Sequence, residues 1–159
     1  MALLEIKKYP DPVLKKKTEK VTEITTEISG LILDMKDTLV KQGGLGLAAP
    51  QVGESKKIII VQLGKTLKAF INPQIIKKTK EMETMEEGCL SFPSVFLNIK
   101  RHKGVVVEAL DEEGKTIQIE ALGLGARILQ HEIEHLDGTL FIDKISFWQR
   151  FKALKKIKK

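Results

Sequence analysis

One cysteine in 159 residues, Cys89, cannot close an internal disulfide, so nothing in the chain asks for an oxidising compartment. No apolar run approaches the ~18 residues that cross a bilayer, which argues against stable membrane insertion. The opening Met-Ala-Leu-Leu-Glu-Ile-Lys-Lys is too short in apolar residues for a secretory leader and too poor in arginine for a transit peptide. Internal repeats and low-complexity linkers are missing as well. These absences predict a soluble, cytoplasmic protein. Acid is missing from the last ten residues, where Arg150, Lys152, Lys155, Lys156, Lys158 and Lys159 lie. Those six bases account for the whole formal charge of +6, and residues 1–149 are neutral. The basic character therefore belongs to a tail, and no DNA-binding domain is expected.

What is present suits one domain. Apolar residues make up 42% and charged residues 30%, enough to fill a single core over 1–159. Tyr9-Pro10-Asp11-Pro12 predicts a turn into a short helix through Leu14. Ile28, Leu31, Ile32, Met35 and Leu39 recur at helical spacing, and Gly43-Gly44 should end that helix. Short β-branched runs follow at 57–61, 67–71, 104–107 and 116–119, with turns at Gly64, Asn72-Pro73 and 111–114. A second helix is predicted over about 121–136, and an amphipathic one over about 146–159. Antiparallel strands around a central helix, with one helix at each end of the chain, give an α+β fold.

Two glycine-rich stretches carry no nucleotide. Gly64-Lys65-Thr66 looks like the end of a phosphate loop, but the required earlier glycine is Ile59. Gly44-Leu45-Gly46-Leu47-Ala48-Ala49 follows a helix rather than a strand, so it is no dinucleotide fingerprint.

His131-Glu132-Ile133-Glu134-His135 is an H-E-x-x-H motif. On a helix, residues four apart differ by only ~40°, so both imidazoles point to one side. Leu124 and Ile128 share that side. Leu122, Leu129, Ile133 and Leu136 form a second apolar face, and Gln130, Glu134 and Asp137 a polar stripe. A helix apolar on two sides lies between layers. A catalytic metal needs a third protein ligand and one open position. The longer histidine pattern fails at Phe141, and no acid beyond Asp137 and Asp143 follows His135. Cys89 and His102 remain as candidates, His102 in a setting typical of a solvated loop.

Three segments resemble, in order and spacing, the signature motifs of the peptide deformylase family: 44–51 (Gly-Leu-Gly-Leu-Ala-Ala-Pro-Gln), 87–91 (Glu-Gly-Cys-Leu-Ser) and Gln130-His131-Glu132-x-x-His135. The resemblance implies removal of the N-formyl group from the initiator methionine of nascent polypeptides, with release of formate. It implies one divalent metal per chain, natively iron(II) in many members, held by Cys89, His131 and His135. Zinc, nickel or cobalt would suit the same donors. By the same resemblance a metal-held hydroxide attacks the formyl group, Glu132 is the general acid/base, and Gln51 and the Leu90 N–H bind the oxyanion. Leu45, Gly46 and Gly88 line the path of the substrate backbone, and Leu124 and Ile128 receive the methionine side chain.

Two positions depart from the family pattern. Glu134 stands where an aspartate is usual, on the polar stripe, with little expected effect on chemistry. Phe96 lies near the position where many bacterial members carry arginine. The tail offers three readings. It packs Phe147, Trp148, Phe151, Leu154 and Ile157 on the domain, it also contacts ribosomal RNA through its lysines, as the family's site of action suggests, or it meets a membrane surface.

Overall fold

The computed structural model describes residues 2–157. Three α-helices and seven strands follow one another as α1 (Thr26–Gln42), β1 (Gly46–Ala48), β2 (Ile58–Leu63), β3 (Thr66–Lys78), β4 (Met82–Cys89), β5 (Phe92–His102), β6 (Gly104–Leu110), β7 (Thr116–Leu122), α2 (Gly123–Leu136) and α3 (Phe147–Ile157). A five-stranded antiparallel sheet has the order β1-β2-β3-β6-β7, and β4 pairs with β5 in a second sheet. This is the expected α+β arrangement.

Local chemistry sets the boundaries of α1. The Thr25 hydroxyl accepts the Ile28 N–H at 3.2 Å, and Gly43 at φ 70° closes the other end in the left-handed region. Its apolar stripe (Ile28, Ile32, Met35, Leu39) packs on Ile58, Ile60 and Ile71. On the other face of the same sheet, Ile59, Val61, Phe70 and Val107 pack on Ala126, Ile128 and Leu129 of α2. Strand alternation thus explains why Ile58 to Val61 is apolar without a break: helices cover both faces. Each fully buried aliphatic side chain contributes roughly 1.5–3 kcal/mol. A third cluster joins Phe92, Val95 and Ile99 of β5 to Leu14, Phe141 and Ala153. The H-E-x-x-H helix α2 lies between the two sheets.

Several expectations change. The runs at 57–61, 67–71, 104–107 and 116–119 are strands, but Asn72-Pro73 is not a turn. Asn72 takes φ 53° in a bulge, its side chain pairs with Val21, and β3 runs on to Lys78. Strands β1, β4 and β5 lie in stretches with no strand prediction. Leu122 caps α2 and is exposed, so the second apolar face comprises the buried Leu129 and Leu136 with the half-buried Ile133 packed beside them. Gln130 leaves the polar stripe: it is buried, donating to the His102 carbonyl at 2.8 Å and accepting the His102 N–H at 3.1 Å. His102 itself ends a strand.

The tail packs differently from its helical wheel. Ala153 is buried, with Leu154 and Ile157 beside it against Leu14 and β5, and Arg150 pairs with Asp143 at 3.2 Å. That stripe is centred roughly 120° around the helix from the aromatics. Phe147 and Trp148 stay 73% and 72% exposed and Phe151 49%. Lys158 and Lys159 lie outside the described residues.

Candidate metal centre and active site

Three elements converge beneath one cleft. The end of β4 carries Cys89, two successive turns of α2 carry His131 and His135, and the short helical turn Ala49–Val52 carries Gln51. One donor atom from each of Cys89, His131 and His135 lies within 4.8 Å of the others. Cys89 Sγ is 3.5 Å from His135 Nε2. His102 is elsewhere, its Nδ1 2.7 Å from the Thr79 carbonyl oxygen. The candidate third donor is therefore Cys89.

Two of the converging side chains, His131 and Gln51, are oriented from behind. His131 Nδ1 donates to Glu87 Oε1 at 2.9 Å, which turns its other nitrogen to the centre. Gln51 Oε1 accepts the Ala48 N–H at 3.0 Å, and that bond fixes which end of the amide faces the site. Its Nε2 then donates to Ser91 Oγ at 3.1 Å and lies 3.5 Å from Cys89 Sγ. Glu132 Oε1 is buried with no hydrogen-bond partner among the described residues, and so is His135 Nδ1. A buried carboxylate oxygen without a partner is costly unless something outside the chain meets it. One soft thiolate, two imidazoles and that carboxylate fit a single divalent ion with a water beside it.

Electrostatics agree with this fit. Burial alone disfavours a charged His131, yet its contacts with Cys89 and Glu87 outweigh burial and raise its pKa well above 6.5. Burial, with the charges of His131 and Arg101, pushes His135 well below 6.5. The two shifts run in opposite directions, and a bound dication would favour the deprotonated form of both imidazoles. Burial lifts the Glu132 carboxyl to about 7 against the charges of His131 and Arg101, so it is poised to exchange a proton near neutrality.

Behind His131 lies a buried ionic cluster. Glu87 accepts from Arg101 at 2.6 and 3.0 Å and from Arg127 at 2.6 Å. Burial would raise its pKa, but the hydrogen bonds from His131 and Arg101 reverse this and lower it to about 2. Glu134 accepts from Arg101 at 2.8 Å and pairs with Lys144 at 2.6 Å. The polar stripe is therefore no free surface at this position: Glu134 is tied through Arg101 and Glu87 to His131. Neither arginine nor Lys144 stood out in the sequence, and Ser91 entered it only within the 87–91 motif. Glu87 stood there only as part of a motif, with no role attached.

A cleft of about 600 Å³ opens over the centre, lined by Leu45, Gly46, Gln51, Gly88, Cys89, Leu90, Phe96, Leu124, Ile128, His131 and Glu132 among others. All the expected substrate-path residues are thus brought together. Gly46 is required by space: a Cβ there would lie 2.6 Å from Glu132 Oε2 and 2.8 Å from Ile128 Cγ2.

Residues 3–151 match the family model for polypeptide deformylase. The peptide deformylase of Thermodesulfovibrio yellowstonii is 50% identical over 163 aligned positions, which span 99% of this chain and 98% of that protein. The crystal structure of Ehrlichia chaffeensis peptide deformylase in complex with actinonin superposes with a TM-score of 0.96 at 37% identity, covering 99% and 97% of the two chains. That of the Thermotoga maritima enzyme gives 0.89 at 40% identity, over 92% and 99%. Likeness of this extent reaches every element around the cleft, and it settles what kind of catalyst has been described: the chain belongs to the polypeptide deformylase family of metalloenzymes.

Proposed function

We propose that the chain removes the N-formyl group from the initiator methionine of nascent polypeptides and releases formate. The carrying observation is the convergence of Cys89, His131 and His135 beside the unpartnered, buried carboxylate oxygen of Glu132. Cys89, His131 and His135 would hold one divalent ion, natively iron(II), with zinc, nickel and cobalt suited to the same donors. Bound there, the ion supplies Lewis acidity to a water molecule and to the formyl carbonyl oxygen.

The chain's own residues do the rest. Glu132 takes a proton from the attacking water and later gives it to the departing amine nitrogen. The Gln51 amide and the Leu90 N–H donate to the carbonyl oxygen as negative charge develops there. Leu45, Gly46 and Gly88 let the peptide backbone approach, and Leu124 and Ile128 cover the methionine side chain, worth roughly 1.5–3 kcal/mol if fully buried. Formyl is the smallest acyl group, so a close wall at the centre rejects acetyl by contact.

A comparison of three substrates tests the proposal: formyl-Met-Ala-Ser, acetyl-Met-Ala-Ser and a longer peptide with only internal amide bonds. Only the first should be cleaved, and cleavage of the internal bonds at a similar rate would make the chain a peptidase instead. Gln51→Ala should lower kcat about 10²-fold or more with little change in KM, since an oxyanion donor acts mainly in the transition state. A rise in KM with normal kcat would make Gln51 a ground-state binder.

The site of action is the cytoplasm, with the ribosome as partner. No helix among the described residues is long and apolar enough to cross a membrane. α3 supports the partner by leaving Phe147, Trp148 and Phe151 exposed beside Arg150, Lys152, Lys155 and Lys156. Replacing Lys155, Lys156, Lys158 and Lys159 by glutamine should leave turnover of a short formyl-peptide unchanged. The same variant should bind ribosomes more weakly and with a shallower salt dependence, because fewer phosphates are neutralised. Equal binding by variant and wild type from low to moderate salt would reduce the tail to solvated structure.

A further inference from the structure

The two groups assigned to the carbonyl oxygen, the Gln51 amide and the Leu90 N–H, come from different sheets. Gln51 follows β1, an edge of the five-stranded sheet, whereas Leu90 and Ser91 form the turn between β4 and β5 of the two-stranded one. Two donors serve one oxygen only while their separation holds, and misplacement by about 1 Å can cost about 10²-fold in rate. We infer that the N-terminal segment 7–9 is a clasp that sets this separation, and that Ser91 is the positioning residue through which it reaches the Gln51 amide. The inference rests on the deformylation reading of the same centre.

The segment bonds to both sides in turn. The Lys7 N–H donates to the Gln51 carbonyl at 2.7 Å, and the Tyr9 N–H donates to the Ser91 carbonyl at 2.9 Å. Further back, the Ala2 and Leu4 N–H groups donate to Asp34 Oδ1 and Thr38 Oγ1 of α1, each at 2.9 Å. Side chains follow the same division. Leu4 and Ile6 pack on the cluster of α1, and Tyr9 packs on that of β5, its ring stacked on Phe92 at 5.1 Å. The Tyr9 hydroxyl makes no hydrogen bond among the described residues, so the ring is the anchor. Helix α2 touches both sheets as well, but it carries His131 and His135 rather than the oxyanion donors.

Ser91 passes the constraint on to a side chain. It is fully buried, and its hydroxyl accepts from Gln51 Nε2 while Gln51 Oε1 is taken by the Ala48 N–H. A primary amide has two N–H hydrogens, so one held by Ser91 leaves the other for the developing charge. The carbonyl of Ser91 is bonded to the clasp and its hydroxyl to Gln51, which makes this residue the link between them.

Rates on formyl-Met-Ala-Ser with the metal-loaded protein test this. Ser91→Ala should lower kcat roughly tenfold with KM within about twofold, a part of the ~10²–10³ lost with a whole donor. In a Gln51→Ala background the same change should cost less than about twofold, because the amide it positions is gone. Tyr9→Ala, which removes the stacked anchor, should also lower kcat rather than raise KM, and Tyr9→Phe should restore wild-type values. Hydrogen exchange of the Gln51 side-chain amide, followed by NMR on zinc-loaded protein without substrate, reads the same clasp independently of turnover. Exchange should be faster in Ser91→Ala and Tyr9→Ala and unchanged in Tyr9→Phe. Losses that multiply between Ser91→Ala and Gln51→Ala, or wild-type amide exchange in Tyr9→Ala, overturn the inference. Faster exchange in both alanine variants, with no formate released by the wild type, would uphold the clasp and count against deformylation.

Discussion

Glu132→Gln is expected to keep its metal and its fold and to lose between a hundred- and ten-thousandfold of its turnover, the usual range for a general acid/base. The substitution changes almost nothing in volume. An amide, however, cannot accept a proton from water or return it to the leaving amine. Glu132 lies between the two histidines in sequence but ligates with neither, and its Oε1 is buried without a partner among the described residues. Burial holds its pKa near 7, where a carboxyl can both take and give a proton at neutral pH. Metal content and thermal stability should match the wild type, because the carboxylate is not one of the three converging donors. A variant that retained more than about a tenth of its activity would show that Glu132 is not the base.

Glu87→Gln should be the most damaging substitution away from the donors themselves. Glu87 meets Arg101, Arg127 and His131, all buried. Removing its charge leaves two guanidinium groups facing a neutral amide whose NH₂ must point at one of three donors. Breaking one side of a buried ion pair costs about 3–5 kcal/mol. For a chain of this size that corresponds to a fall in Tm of roughly 10 °C. The orienting contact to His131 is lost at the same time, and metal affinity should drop about 10- to 100-fold. Glu134→Gln, one step further out, should show a smaller loss of the same kind, as Arg101 keeps Glu87 and the Glu134 side chain is about 20% exposed. Thermal unfolding with and without metal, together with competition against a chelator, measures both effects. A Glu87→Gln protein within 1 kcal/mol of the wild type would mean that the cluster relaxes around a neutral group.

Legibility in the sequence followed interaction range. The paired histidines and Glu132 stand out because their geometry is local: four residues on a helix fix the common face. The cap at Gly43 and the apolar stripe of α1 are legible for the same reason. Spacing alone leaves Cys89 level with His102, since its 46 positions to His135 are closed only by tertiary structure. Glu87 and Arg127 lie 40 positions apart and meet only because β4 passes α2. Strand β4 reads Met-Glu-Thr-Met-Glu-Glu-Gly-Cys, a composition of low strand propensity, and β5 carries Pro93 and a left-handed Ser94 near its start. Their pairing with each other overrides those local signals. In α3 the wheel finds an apolar face correctly, but the docking surface selects the neighbouring stripe at Ala153 and leaves the aromatics outside.

Anaerobic titration of metal-free protein with iron(II), reading formate released from formyl-Met-Ala-Ser, addresses the centre and the reaction together. Formate release should rise in proportion to added iron, level off at one ion per chain, and be matched by an equal yield of free methionyl amine. Cys89→Ser, which offers a hydroxyl in place of a thiolate, should shift the curve to higher iron or flatten it. The absence of formate at every loading, with iron(II) and equally with nickel, cobalt and zinc, would contradict the account.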